Sequence, residues 1–366
     1  MSNIDTVHKL TIMSDNWLPL EQKLEKLSVS SKCDFANQHV DYWGRYKAML
    51  SSLRLHVYPN INAGLSCLSK TPGFYTDHGE RHFDEVVRYA GYLLENTSVQ
   101  PDSSLRPYEL YLLLCAIRVH DAGNIDGREE HNKRAFSILQ EYGGDIQRDA
   151  PEHSLIGEIA QAHGGRTLNN NDKDTIGALP YETVVGAVDV RPQLVAALVR
   201  FADEICEHSS RASHHHINAD TLPAESKLFQ LYAKSIAGAK PDRNNKSFKL
   251  RFNFDVATFS DQYPAIKDEL GNQRQKYLID DALDRIDKLN CERVYCNRFL
   301  LPQMQTDRLE ISMEISKTIS VAGTNQQIKC DERSLTIRDK GYPAVPRDWK
   351  SDVSDVNGAN FAGKVW

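Results

Sequence analysis

The run LLLCAIRVHD, residues 112–121, decides how this chain folds. Leu112, Leu113, Ala116 and Ile117 recur at helical spacing and mark one apolar face. His120 follows Ala116 by four residues and Ile117 by three, so its imidazole extends that face inward, and Asp121 follows directly. The same geometry recurs elsewhere in the chain. His82 stands four residues before Val86 and eight before Ala90; His131 precedes Ala135 by four; His163 follows Ile159 by four; Asp203 follows Val199 by four. A single inward histidine is ordinarily a hydrogen-bonded core residue. An inward carboxylate is costly unless it is paired or ligates a metal. Asp121 and Asp203 both call for a cation; no lysine or arginine lies on the same faces as an obvious partner, and several imidazoles do. Imidazole and carboxylate together suit Mn, Fe, Co, Ni or Zn.

Most of the first 215 residues read as helices. Apolar stripes run through Phe83, Val86, Val87, Ala90, Leu93 and Leu94, through Ala135, Ile138 and Leu139, through Ile156, Ile159 and Ala160, and through Val195, Leu198, Val199 and Ala202. Pro107 and Pro151 stand where helices start and Gly164-Gly165 where one stops. After about residue 222 the period changes. SFKLRFNFDV (247–256) alternates apolar and polar residues, as do RLEISMEI (308–315) and a stretch around Gln327–Ile337, with a long helical pattern from Ala265 to Phe299 between them. The predicted fold class is mainly α, a helical bundle followed by a smaller α+β domain. Residues 1–70 form a helical segment packing on the bundle, 71–222 the metal-binding bundle and 223–339 the α+β domain. From 340 to 366 a tail rich in Gly, Pro, Asp and Asn is expected to be poorly ordered. The polar run LNNNDKD (168–174) reads as an exposed loop near the site.

Composition narrows the function. A net charge of −6 and a pI near 6.1 give no bulk attraction for polyanions, so phosphate binding must be local. That favours small nucleotides over long nucleic acid. MSNIDTVHKL lacks the basic start and apolar run of a secretory signal. No stretch approaches the roughly 18 apolar residues of a membrane span. Seven cysteines without a CxxC pair suit reduced thiols in a cytoplasm; Cys291 and Cys296 are read as packing residues. Neither GxSxG nor a P-loop is present. Trp17 and Tyr42-Trp43 read as core anchors rather than base-stacking platforms, and His214-His215-His216 as a solvated loop rather than a metal site.

TDHGERHFDEVV (Thr76–Val87), RVHDAGN (Arg118–Asn124) and LVRFADEI (Leu198–Ile205) resemble the H…HD…D signature of the HD phosphohydrolase superfamily. REEHNKRAFSIL (Arg128–Leu139), HSLIGEIAQAHGG (His153–Gly165) and Arg211 are similar to its HD-CE branch, a bacterial group linked to conflict and signalling systems, antiviral defence included. The resemblance covers Phe74 to Arg211 and reaches loosely into the α+β region. It implies an HD-type helical bundle and a metal-dependent phosphohydrolase with one or two divalent ions, manganese among the choices.

Carried over, the motif makes His82, His120, Asp121 and Asp203 ligands of a first ion. His78 competes with His82, which is preferred because Val86 and Ala90 place it on the buried stripe. His131 and His163 match positions that bind a second ion or act on the leaving group, with Asp121 bridging. His153 faces inward near its helix start and is either a further second-ion ligand or a core residue. Arg128 and Arg211 are phosphate-binding candidates; Arg128 is the best placed of Arg128, Lys133 and Arg134, while Arg211 has a surface salt bridge with Glu207 as its alternative. Ala202-Asp203-Glu204-Ile205-Cys206 lacks the second acid of the family's Ala-Asp-Glu-Leu-Asp, which leaves the ligand set intact but alters the pocket. The implied reaction is hydrolysis of a phosphoester in a nucleotide or signalling nucleotide through metal-activated water. The rivals are a nuclease on single strands, a nucleotide-sensing module without hydrolysis, and a di-iron oxygenase. A homo-oligomer or a partner protein on the C-terminal domain is a further expectation.

Overall fold

A computed structural model of the chain describes residues 17–366 apart from 71–72, 96–103, 168–171, 260, 266–273, 322–323, 339–348, 363 and 365. Helices dominate as far as Glu204. They are α1 (Pro19–Ser30), α2 (Tyr42–His56), α3 (Tyr58–Leu68), α4 (Glu80–Leu94), α5 (Pro107–Val119), α6 (Ala135–Tyr142) and α7 (Ala150–Gln161). A short hairpin, β1 (Thr183–Val185) and β2 (Val188–Val190), leads into α8 (Pro192–Glu204).

Proline in the first turn of α5, α7 and α8 removes one of the amides that a helix start leaves unpaired, and Asp149 caps α7 by accepting from the Glu152 amide. Every residue of α5 from Tyr108 to Val119 is buried, which makes it the central helix, with α1, α4, α7 and α8 around it. The N-terminal segment packs by its aromatics: Trp17 meets Trp43 edge-on at 4.8 Å, and Tyr42 and Tyr46 are fully enclosed.

Beyond α8 lie α9 (His214–Asn218), α10 (Ala224–Ser235), β3 (Ile236–Asp242), β4 (Ser247–Asp255), α11 (Val256–Phe259), the small hairpin β5 (Gln262–Pro264) and β6 (Gln275–Tyr277), α12 (Leu278–Asn297), β7 (Arg308–Val321) and β8 (Thr324–Arg338). The main sheet has the order β3-β4-β7-β8. Phe248, Leu250, Phe252 and Phe254 of β4 and Leu309, Ile311, Met313 and Ile315 of β7 are buried while the residues between them are more exposed, which is the period-2 pattern of the sequence. β4 and β7 run parallel, so a crossover is required, and α12 supplies it. The fold is thus mainly α with a smaller α+β region.

The sheet is not detached from the bundle. Its buried side chains join the bundle's in one continuous core, and α12 lies on α8. Arg200 of α8 forks onto Glu292 of α12 at 2.7 and 2.8 Å and lies over the Tyr295 ring at 4.5 Å. Lys288 of α12 reaches Glu204 at 2.6 Å.

Three readings need correction. The helix expected from Ala265 begins only at Leu278, because Tyr277 is extended and β5–β6 pairing gives residues 262–264 and 275–277 their backbone partners. Much of the expected tail packs: Trp349 donates to Asp287, the Gly358 amide donates to Asp280 at the start of α13 (Gly358–Ala362), and Phe361 lies tilted against Phe259, its centroid 4.9 Å away. The histidine triplet forms the short helix α9 rather than a loop, with His214 held by Ser209 O and His216 by Thr221. Part of the 168–174 run lies outside the described residues. Among the described residues no helix is long and apolar enough to cross a membrane.

Candidate metal centre

Five chain segments deliver the inward histidines and acids to one place. His82 sits in the first turn of α4, His120 and Asp121 end α5, His131 opens a short 3-10 turn, His163 lies just past α7, and Asp203 is in the last turn of α8. Three of these histidines donate to carbonyls at a helix or turn end. His120 Nδ1 lies 2.7 Å from Ile117 O, His131 Nδ1 2.8 Å from Arg128 O, and His163 Nδ1 2.6 Å from Ala160 O. A carbonyl only accepts, so each Nδ1 donates, and each Nε2 is left facing the centre. Behind His82, its Nδ1 lies 3.9 Å from Cys206 Sγ. The residue that replaces the family's second acid therefore backs a ligand instead of lining the pocket. Burial pushes its thiol well up, so it remains protonated.

The donors fall into two groups, each with its atoms within 4.8 Å of one another: His82, His120, Asp121 and Asp203, and Asp121, His131 and His163. Asp203 Oδ1 is 3.2 Å from His82 Nε2 and 3.5 Å from His120 Nε2. Asp121 turns one oxygen to each group: Oδ2 lies 3.7 and 3.9 Å from His82 and His120 Nε2, and Oδ1 lies 3.0 and 3.5 Å from His131 and His163 Nε2. That is the disposition of a bridging carboxylate.

The residues fit a cation. The Nε2 atoms of His82, His120 and His131 and the Oδ1 atom of Asp121 are buried without a hydrogen-bond partner. Each such orphan costs about 1–3 kcal/mol, and an ion between them would satisfy all four. The charges agree. Burial alone would raise Asp121 and Asp203, but His120 and His131 for the first, and His120 and His82 for the second, hold both well below the usual carboxylate range. Burial keeps His82 and His163 low. Burial also opposes a charge on His120, yet Asp121 and Asp203 outweigh it and raise it to about 9. A cation entering the first group displaces that proton, so its affinity rises with pH up to about 9.

Two glycines permit the assembly. A Cβ on Gly123 would lie 2.2 Å from His131 O, so only glycine lets the turn after Asp121 meet the His131 turn. Gly165 has φ +75°, and a Cβ there would lie 2.5 Å from Asn132 Nδ2. That amide donates to Gln161 O and Gly164 O, at 3.3 and 3.2 Å, tying the His131 turn to the end of α7 beside His163.

At the rim, Arg128 Nη1 is 3.7 Å from Asp121 Oδ1, and its side chain is 45% exposed. Arg211 donates to Asp77 O, Cys206 O and His78 Nε2. The alternative reading, a bridge to Glu207, does not form; Tyr232 OH donates to Glu207 instead, at 3.1 Å. Lys133 pairs with Glu130, and Arg134 with Gly123 O and Asp126, away from the donors. Of its two readings His153 takes the core one: it joins neither group and sits 3.1 Å from Phe136 O. Ten residues before His163, it lies about 15 Å back along α7. His78 also belongs to neither group. Asn124 escapes the sequence reading, although RVHDAGN displays it one turn after Asp121. It is fully buried, its Oδ1 accepts from Arg128 at 3.4 Å, and its Nδ2 has no partner.

Because the first group keeps all four donors without them, His131→Ala and His163→Ala are expected to lower turnover more than first-ion occupancy. Metal per chain, measured by mass spectrometry beside turnover, checks this. Loss of the first ion in either variant, as complete as His82→Ala should give, would contradict the division. Two surface clefts, one lined by Glu95, Lys240 and Arg243 and the other by Phe35, His39 and Tyr108, include no donor of either group.

The HD-CE family model matches residues 72–280 of the chain. Comparison with curated proteins and with solved structures returns no match.

Proposed function

The chain belongs to the HD-CE family, and from that premise we propose that it hydrolyses a phosphoester in a small nucleotide or signalling nucleotide. The observation that carries the reading is Asp121, whose two oxygens face two separate sets of imidazoles with arginines at the rim. When bound, a divalent ion held by His82, His120, Asp121 and Asp203 supplies a water of lowered pKa and a polarised phosphoryl oxygen.

The chain's own groups bind and orient the substrate. Asp203, 25% exposed, marks the open side of the first group. Arg128, beside the Asp121 oxygen that faces His131 and His163, offers a guanidinium fork to phosphate oxygens, steadied by Asn124. His131, with its side chain 13% exposed, is more open than His82, His120 or His163. Its Nδ1 proton is committed to Arg128 O, so Nε2 is the atom that either ligates a second ion or passes a proton to the leaving oxygen. The few rim cations match one or a few phosphates, whereas a nuclease tracks its strand with a basic groove. The reading extends to a cytoplasmic enzyme, since all seven cysteines are free. Manganese and a role in bacterial defence belong to the same proposal, and the support for them is the family resemblance rather than the geometry.

The test supplies Mn or Co to the purified protein with nucleoside mono- and triphosphates, cyclic nucleotides and single-stranded DNA and RNA. Turnover of a small nucleotide that Asp121→Ala abolishes is expected. Efficient degradation of long strands, lost in Asp121→Ala, with no small nucleotide turned over, would establish the nuclease reading instead. Nucleotide binding without turnover would leave a sensor.

A further inference from the structure

His78 stands four residues before His82, its ring centroid 5.5 Å from that of His82, yet it is not among the donors. It is 8% exposed and both its nitrogens are engaged. Nδ1 lies 2.6 Å from Thr76 O, which can only accept, so the proton sits on Nδ1 and Nε2 carries a lone pair. That lone pair receives Arg211 Nη2 at 3.2 Å. The rest of the guanidinium is held by carbonyls, Nε by Asp77 O at 3.2 Å and Nη1 by Cys206 O at 3.4 Å.

The same seam is closed by the backbone. Asp77 N donates to Arg211 O at 3.0 Å. Gln230 accepts from Ser213 N at 2.8 Å and donates to Phe74 O and Tyr75 O, each at 3.0 Å. Arg211 makes no ion pair with a carboxylate among the described residues, so its charge is oriented but not directly neutralised. Glu207 acts on it without a direct contact, and the centre is close enough for the Asp203 and Asp121 charges to act on it as well. A guanidinium fixed in this way by neutral acceptors only, beside a polar centre with an open side, is preorganised for an anion.

We propose that His78 is a positioning residue, which by accepting from Nη2 locks Arg211 in place to receive phosphate oxygens of the substrate. The proposal rests on the phosphohydrolase reading for its substrate, but its test does not need turnover. Full-length, Mn-loaded protein is prepared as wild type, His78→Ala, His78→Gln, Arg211→Ala and the His78→Ala/Arg211→Ala double variant. Metal per chain and the affinity for inorganic phosphate by calorimetry are measured for each. Where a nucleotide is turned over, KM and kcat are added.

His78→Ala should keep its metal and lose phosphate affinity by roughly ten-fold, as for a hydrogen bond to a charged group, with KM rising more than kcat falls. The double variant should bind phosphate no more weakly than Arg211→Ala. His78→Gln, whose amide can accept from Arg211 and donate to Thr76 O, should recover most of the loss. Metal loss in His78→Ala equal to that of His82→Ala would make it a ligand and overturn the proposal. So would additive losses in the double variant, or no phosphate binding by the wild type. If His78→Ala fails to fold, His78→Gln decides, since affinity as low as that of Arg211→Ala refutes the lock. Phosphate coupling without any nucleotide turnover would sink the phosphohydrolase reading alone.

Discussion

Asp121→Ala is expected to empty both donor groups at once and to lower phosphoester turnover by at least about a thousand-fold, or ~4 kcal/mol. No other substitution at the centre should match it, because Asp121 alone serves both groups. Without it the second group is reduced to His131 and His163, and the first to two imidazoles and Asp203, which is already a quarter exposed. Two neutral imidazoles hold a divalent ion weakly and leave its charge unbalanced. Removing Asp203 should be milder, since the second group keeps all three of its donors. The readout is metal per chain together with the melting temperature in the presence and absence of added Mn. A ligand at a hundred times its Kd stabilises the folded state by about 2.7 kcal/mol, so wild type should melt higher with the ion. Asp121→Ala should show no such shift. A variant that keeps wild-type metal content and metal-dependent melting would dismiss Asp121 as the bridge.

How much of this is legible in the sequence depends on what periodicity can encode. A stripe at 3.6 residues tells which face a side chain occupies, so the spacing of His82, His120, His163 and Asp203 is enough to place them inward. It says nothing of depth along the axis. His153 shares the inward sense of His163 on α7, but two to three turns separate them, and only the later one reaches the centre. Nor does periodicity reveal a partner across the chain. The tie between His78 and Arg211 joins segments 133 residues apart, and Cys206 behind His82 spans 124. The false start of α12 has a similar cause: residues 275–277 are satisfied by pairing with 262–264, a contact that no local window contains. Ala265–Phe299 reads as one helix because its later part is strongly helical. Packing of Trp349 and Phe361 is hidden for the opposite reason, since a segment rich in Gly and Asp gives no period even where its few aromatics anchor it.

The residue most poorly foretold is Arg118, and its loss should have the largest effect on stability. It sits inside the apolar run that decides the fold, two residues before His120, and it is fully buried. Nη2 donates to Glu21 of α1 at 2.7 Å, Nε to Tyr46 OH of α2 at 2.9 Å, and Nη1 to Asp84 of α4 at 2.6 Å. Tyr58 of α3 donates to the Arg118 carbonyl at 2.9 Å. One side chain thus ties three helices to the centre of the bundle, just where α5 presents the histidine and aspartate. Arg118→Met keeps much of the volume but leaves Glu21, 2% exposed, with no cation. Breaking a buried pair from one side costs about 3–5 kcal/mol, a large share of the roughly 5–15 kcal/mol that holds a typical domain. Asp84, 26% exposed, can turn to water and should add little. The expected result, in metal-free protein so that ion binding does not contribute, is a large fall in the urea midpoint. Adding Glu21→Leu to Arg118→Met should recover much of it, because an apolar replacement of both partners removes the stranded charge. If Arg118→Met alone unfolds near the wild-type midpoint, or Glu21→Leu deepens the loss, the buried pair is not what clamps the N-terminal helices to α5. The metal centre would then rest on the apolar contacts of α5 alone.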